Sequence, residues 1–551
     1  MYVYFLKRRI DLFEFIFSIA AVFIMYFNLT VLMKKVLFAL LLFVAGTAAA
    51  NNIQVSSFSL TGQNTASDYT MAQFSVSWEN SWRDNTNWDA AWIFVKYRVA
   101  GGSGGDNAWR HATLSNQSAQ HGAPTGSTIT PSTDGKGVFL YRNTNGGGNV
   151  NYSAVQLRWN YGGDLKSNSS GGVYIGDNDQ IEIQVYAIEM VYVPQGSFQV
   201  GDGSSSTIVR QFSDAASTAP YMVNSENAIT LGGGQPNSLG NRNNNAGVAD
   251  PTNPDDFSNS SQKLLPAAFP KGYNAYYCMK YETTQKQYVD FLNTLTSSQA
   301  AVSVPTHYFN SNGTMQMITG TWPNYYTTAA CLPVSYITYF NAMAYLDWSG
   351  MRLNTELEYE KSCRGPQTPV ADEYAWGTTN LVPALTISAS TAEGSCSELT
   401  STQGGNININ NGDGAGTGGK NRPYRVGIFA TSTSTRESSG ASYYGIMDLS
   451  GNMAEWTVGV GSANNRSYVG SHGDGLLNSN GNANNADWPG YDGNSVASFA
   501  TGIRGAAFNY GVDNLGAGYK AYARTSDRYY IMVNNLGNSP GAGFRGVRTA
   551  P

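Results

Sequence analysis

The stretch Arg352-Leu353-Asn354-Thr355-Glu356-Leu357-Glu358-Tyr359-Glu360 fixes a helix start from its own residues. Thr355 and Glu358 form a Ser/Thr-x-x-Glu capping box, in which hydroxyl and carboxylate satisfy two orphan backbone N–H groups reciprocally. Two more helices are predicted upstream. Thr283-Thr284 caps a segment whose Tyr288, Phe291 and Leu292 share a face, and Ser335 opens another carrying Ile337, Phe340, Ala344 and Tyr345. Beyond Cys363 the chain turns to Gly, Asn, Tyr and Trp with no further helix signal, so the second half is expected to be α+β and loop-rich.

The pattern before the helices has a period near two. Ala72-Gln73-Phe74-Ser75-Val76-Ser77-Trp78 and Ile93-Phe94-Val95-Lys96-Tyr97-Arg98-Val99 read as half-buried strands, because alternation puts apolar side chains on one face of the pleat. Gly and Asn clusters at 101–105, 146–149 and 167–172 punctuate them as turns. Residues 51–187 are therefore expected to form an all-β, sandwich-like domain, and 188–551 the second domain. Residues 203–262, rich in Ser, Asn and Gly, read as a polar surface insertion.

Residues 1–50 read as a targeting segment and carry no fold information. Met33-Lys34-Lys35, the apolar run 36–44 and Ala48-Ala49-Ala50 make a signal peptide cleaved near Ala50. Upstream, Lys7-Arg8-Arg9 precedes an apolar run over 15–33 long enough to span a bilayer. Either the true start is Met33 or 15–33 acts as a membrane anchor. In both cases the bulk of the chain is expected to be secreted, periplasmic or at the cell surface. The formal charge of -5 offers no basic face, which argues against a nucleic-acid partner. Cys278, Cys331, Cys363 and Cys396 would make one or two disulfides in that compartment. Neither their spacing nor that of the four histidines spells a metal site.

Eight blocks in order resemble the sulfatase-modifying-factor, or formylglycine-generating enzyme, family. They are Met190 to Phe198, Tyr281 to Asn293, Pro333 to Tyr345, Arg352 to Glu360, Tyr374-Ala375-Trp376-Gly377, Tyr444 to Trp456, Arg504-Gly505 and Gly543-Phe544-Arg545. The resemblance implies a glycine-rich variant of the C-type lectin fold for 188–551. Family members that are oxidases convert a sulfatase cysteine to formylglycine with a copper-binding cysteine pair, since soft thiolates select Cu(I). Counted from Arg504, those two positions are Tyr510 and Leu515, and no cysteine follows Cys396. Catalytic residues and copper are therefore not expected. The alternative is a formylglycine-generating oxidase, or another family enzyme, acting on secreted sulfatase-type substrates.

Two sites remain. In the family the loop matching 448–455 holds calcium, which would here take the carboxylates of Asp448 and Glu455 and the carbonyls of Gly451 and Met453; hard cations favour such oxygens. The C-terminal segment carries Phe508, Tyr510, Asp513, Tyr519, Tyr522, Arg524, Asp527, Tyr529, Tyr530 and Asn534 among glycines. Rigid tyrosines with adaptable polar neighbours are binding-site composition. The family fold is also used by variable proteins of diversity-generating retroelements, whose diversified C-terminal end closes on a Gly-Phe-Arg block. The expectation is a non-catalytic ligand-binding protein, its ligand an extracellular protein or a glycan, with these side chains facing solvent. Two accidental motifs are set aside: 414–420 has Asn421 where a phosphate loop needs Ser or Thr, and Gly101-Gly102-Ser103-Gly104-Gly105 lacks the strand-to-helix setting of a nucleophile elbow.

Overall fold

Alternation is visible at once in β2 (Tyr69–Arg83), which buries Ala72, Phe74, Val76 and Trp78 and leaves the residues between them partly exposed. It lies between β1 (Gln54–Asn64) and β7 (Gly146–Trp159) in an antiparallel three-stranded sheet. The computed structural model describes residues 52–168, 171–203, 208, 210–242, 255–305, 318–384, 386–388, 394–402, 404–409, 422–491, 501–509, 519–531 and 539–551.

β3 (Asp89–Val99) departs from the half-buried expectation: nearly every residue is buried. Ala91, Ile93, Val95, Tyr97 and Val99 join β2 and β7 in one core, while Ala90, Trp92 and Phe94 enter a second. Both faces are covered because β3 is central in an eight-stranded sheet. Its other members are β4 (Arg110–His111), β5 (Ser127–Pro131), β6 (Val138–Arg142), β8 (Ile181–Val193), β9 (Tyr276–Met279), β10 (Arg352–Leu353) and, near the C-terminus, β14 (Gly546–Thr549). The order is β10-β14-β9-β8-β3-β6-β5, with β4 beside β3, all antiparallel.

The seam expected at 187–188 falls inside β8. Residues 181–191 of that strand pair with β3 and 190–193 with β9. One sheet thus runs from the first half of the chain into the second, and the described residues belong to one compact unit. The expected surface insertion is also corrected. It contributes strands Phe212–Asp214, Ile229–Leu231 and Leu239–Asn241, which form a four-stranded sheet with Lys263–Leu265. Phe212, Leu231, Leu239 and Phe257 sit in the larger core, so its apolar minority outweighs its polar composition.

The helices are α1 (Gln285–Leu292), α2 (Ser297–Ser303), α3 (Tyr339–Trp348) and α4 (Glu356–Arg364). Thr284 and Thr355 cap α1 and α4 as expected, each in a full capping box. α3 starts at Thr338, boxed with Asn341, and not at Ser335, because Tyr336 has φ +57° and breaks the path. α2, with the single turns Arg436–Ser439, Ala463–Arg466 and Tyr519–Tyr522, gave no signal in the sequence.

α4 explains the second half's architecture. Its sequence is mostly polar, yet all nine residues are buried. Burial is tolerated because each charge has an internal partner. Glu358 pairs with Arg352 at 2.6 and 2.8 Å, Glu356 with Arg528 at 2.5 and 2.9 Å, and Glu360 with Arg504 at 3.1 Å. Lys361 donates to the carbonyls of Pro194, Gly272 and Tyr273, and Arg364 bonds Glu373.

Candidate functional site

Two segments meet beside α4. The first is the turn before β11 (Ala454–Val458), where Asp448 (φ +60°), Gly451 (φ +89°) and Asn452 (φ +64°) adopt left-handed backbone. Glycine is required at 451, where a Cβ would lie 2.4 Å from Ile407 Cγ1. The second follows β12 (Thr501–Arg504), which pairs with β11, as does the short β13 (Ala542–Gly543). The two are stitched together: Gly451 N–H donates to Gly505 O (2.7 Å) and Phe508 N–H to Asn452 O (2.9 Å).

Both carboxylates expected to hold calcium have partners within the protein. Glu455 places both carboxylate oxygens on Arg545, at 2.6 Å to Nε and 2.5 Å to a terminal nitrogen, with both side chains buried. Asp448 accepts the Gly427 N–H at 2.6 Å, and burial pushes its carboxyl up to about 6. The Met453 N–H donates to Glu282, which also takes the Asn452 amide (2.7 Å). Burial first, then Asp448 and Glu455, hold Glu282 far above the usual carboxylate range. This donor set does not fit a cation as it stands, because Glu455 is already neutralised by a guanidinium. Sequence reasoning missed Glu282 as the organiser of the turn; its only signal was its place in the Tyr281-to-Asn293 block.

The C-terminal segment is partly an interior. Phe508 is fully buried against Met453, Asp527 is buried and accepts the Tyr529 N–H at 3.1 Å, and Tyr522 is 8% exposed in a cluster with Tyr374 and Trp376. These three do not face solvent, which corrects the expectation. Arg524 is partly buried and pairs with Asp372 at 2.9 Å. Tyr529 is half-buried and Tyr530 is 36% exposed. Tyr522, Tyr529 and Tyr530 touch one another, with ring centroids 4.6 to 5.4 Å apart. Tyr510, Asp513, Leu515 and Asn534 lie outside the described residues, as does the side chain of Tyr519.

Between Asp527 and Tyr529 the chain is anchored by Arg528. Its guanidinium makes five hydrogen bonds, to Glu356, Asp255 and the Arg210 carbonyl, and is fully buried. Of the cysteines, Cys331 and Cys396 form a disulfide. Cys278 and Cys363 are free and buried, and burial pushes both thiols up to about 12. Gly101–Ser103 is a single exposed 3-10 turn, without the helix of a nucleophile elbow, and 414–420 lies outside the described residues. Among the described residues no helix is long and apolar enough to cross a membrane.

With eight ordered blocks and this arrangement in place, the class is settled. The family model of the sulfatase-modifying factor enzyme 1-like domain matches residues 179–537, and the chain belongs to that family. Its similarity to individual members is local. Over 127 residues it is 30% identical to the hercynine oxygenase of Mycolicibacterium smegmatis, covering 23% of this chain and 21% of that protein. Over 54 residues it is 46% identical to the hercynine oxygenase of Mycolicibacterium thermoresistibile, covering 10% and 12%. Over 47 residues it is 49% identical to that of Mycobacterium tuberculosis, covering 8% and 11%. The chain thus spans about a fifth or less of the length of these relatives.

Proposed function

We propose that this family member is a non-catalytic binding protein, acting outside the cytoplasm, that captures an extracellular protein or glycan through its C-terminal face. In this reading the C-terminal half adopts a C-type-lectin-type fold, and the N-terminal strands, which share its eight-stranded sheet, brace it. The supporting observation is the tyrosine trio, whose Tyr530 ring is exposed while Arg528, adjacent in the chain, is locked by five buried hydrogen bonds. An aromatic anchor on a rigid base loses little entropy on binding. The oxidase cysteine positions hold Tyr510 and Leu515, and the two free thiols are buried and held protonated, which suits them to packing and not to ligating copper. The turn at 448–455 needs no calcium in this reading, because Arg545 supplies the positive charge.

The second reading, a family enzyme, is favoured by the stretches similar to hercynine oxygenases. Aerobic incubation separates the two, once with copper and a Cys-x-Pro-x-Arg peptide and once with hercynine. Oxygen uptake with formation of the aldehyde, or of oxidised hercynine, would overturn the binding reading. Diversification is checked in the genome: a near-copy of the coding sequence for 508–535, differing at adenines beside a reverse transcriptase gene, is its expected trace.

A further inference from the structure

Four lysines are buried among the described residues, and one is unlike the rest. Lys271 donates to three carbonyls, Lys361 to three carbonyls, and Lys280 faces Glu189 at 3.1 Å and Asp89 at 4.0 Å. Lys96, 1% exposed, has a single acceptor, the Gly475 carbonyl at 3.1 Å. Burial pushes this amino group well below the usual lysine range, and even as a neutral amine it keeps two N–H groups, so at least one lacks an acceptor. Around it lie the ring faces of Trp348 at 5.1 Å and Phe94 at 5.9 Å, and the Asp347 and Asp474 carboxylates and the Lys136 amino group act on it through space without bonding it. The Trp348 indole N–H is itself buried without an acceptor. Buried donors left open in this way call for a missing partner.

Both side chains line a cleft of about 1,010 Å³ whose walls come from the two halves of the chain. The first half supplies Lys96 and Trp109, the second Trp322, Trp348 and Leu476. Trp322 is 43% exposed although its indole N–H is fixed to Leu295 O at 2.8 Å, so the ring is held in place with surface to spare. Leu476 is 47% exposed. The lining carries four carboxylates and four cationic side chains, and the nearest couples are closed on themselves: Arg98–Glu182 and Arg110–Asp106, each at 2.6 Å.

We propose that this cleft binds a neutral oligosaccharide. The balanced charges give no field to select an ion. The exposed Trp322 ring, and Trp109 beside it in the lining with Arg98 over its ring at 4.9 Å, match the apolar C–H faces of sugar rings, and sugar hydroxyls offer acceptors to Lys96 and Trp348. The volume lies at the upper end of small-molecule sites, about 300–1,000 Å³, which favours a chain of sugars over a single one. The site is separate from the tyrosine trio and does not depend on the reading given above.

The test is titration of the full mature protein, followed by tryptophan fluorescence and calorimetry, with soluble hexasaccharides of glucose, N-acetylglucosamine, mannose and xylose. Saturable binding of at least one is expected, weakened about tenfold or more in Trp322→Ala and Trp109→Ala and unchanged in Tyr530→Ala. Leu476→Arg, an exposed position, blocks the cleft without touching the core and guards against a folding defect in the tryptophan variants. Lack of binding by all four sugars, binding of a peptide in their place, or undiminished affinity in Leu476→Arg and Trp109→Ala would each overturn the proposal.

Discussion

Arg528→Met is the sharpest test of how the C-terminal face is held. The guanidinium donates to Glu356 at 2.5 and 2.9 Å, to Asp255 at 3.0 and 3.1 Å and to the Arg210 carbonyl at 2.8 Å, and all three charged side chains are fully buried. Methionine fills much of the stem volume, so the lost charge dominates over any cavity. Glu356 keeps the Val460 N–H at 2.8 Å and a long contact to Arg504 at 3.4 Å, while Asp255 keeps the Asn241 amide at 2.7 Å. Breaking a buried ion pair from one side costs about 3–5 kcal/mol, and that loss is expected in urea unfolding at neutral pH. The deficit has a pH signature. Burial already raises the Glu356 carboxyl, and without the Arg528 charge that lowers it the rise in the folded state grows, which penalises the variant as pH rises and relieves it as pH falls. The deficit should therefore shrink between about pH 7 and pH 5. A loss under about 1 kcal/mol, the level of a surface ion pair, or one independent of pH, would refute the argument.

Tyr522→Ala, in a buried cluster, is expected to cost about 3 kcal/mol or more, and Tyr530→Ala under about 1 kcal/mol; equal losses in denaturant midpoints would contradict the framework-and-anchor division. Asp347 is pushed up to about 7 by burial and by Asp474. A raised folded-state value means its stabilising contribution is complete at low pH and lost as pH rises through about 7. The fall in stability between about pH 5 and 8 should flatten in Asp347→Asn, and an identical slope in both proteins would argue against it. Chelation with EDTA is expected to leave the melting temperature unchanged, because Arg545 already neutralises Glu455. A clear drop that added calcium reverses would restore a cation to the 448–455 turn.

The sequence exposed what depends on neighbours a few residues apart. The Thr355–Glu358 box placed the start of α4 correctly because both partners lie within one turn. Ser335 misled for the same reason: it is a cap-type residue, but the residue that completes a box is Asn341, reciprocating with Thr338. Alternation in β3 told which residues share a face but not whether the second face is covered, which depends on α3 and its Trp348 arriving from over two hundred residues away. Distance in sequence hid the charges most of all. Glu455 reads as a free calcium ligand until Arg545, 90 positions on, is seen to hold it, and Glu356 reads as a helix-start acid until Arg528 arrives from 172 positions away.

The same limit bears on the tyrosine-rich segment. Composition alone cannot separate a recognition face from the shell that supports one, because both use large rings with polar edges. The structure divides them by what lies beneath. Tyr522 packs on Trp376, Tyr374 and Ile407, while Tyr530 extends past it into solvent. Arg528 lies two residues before Tyr530 in the chain and is bound on every N–H. Under the proposed binding role, a substitution at Tyr530 would be read by a ligand before it is read by the fold, whereas one at Tyr522 would be read by the fold first. That ordering is what the proposed binding role needs, and the frame it relies on rests on ion pairs that no local pattern in the sequence reveals.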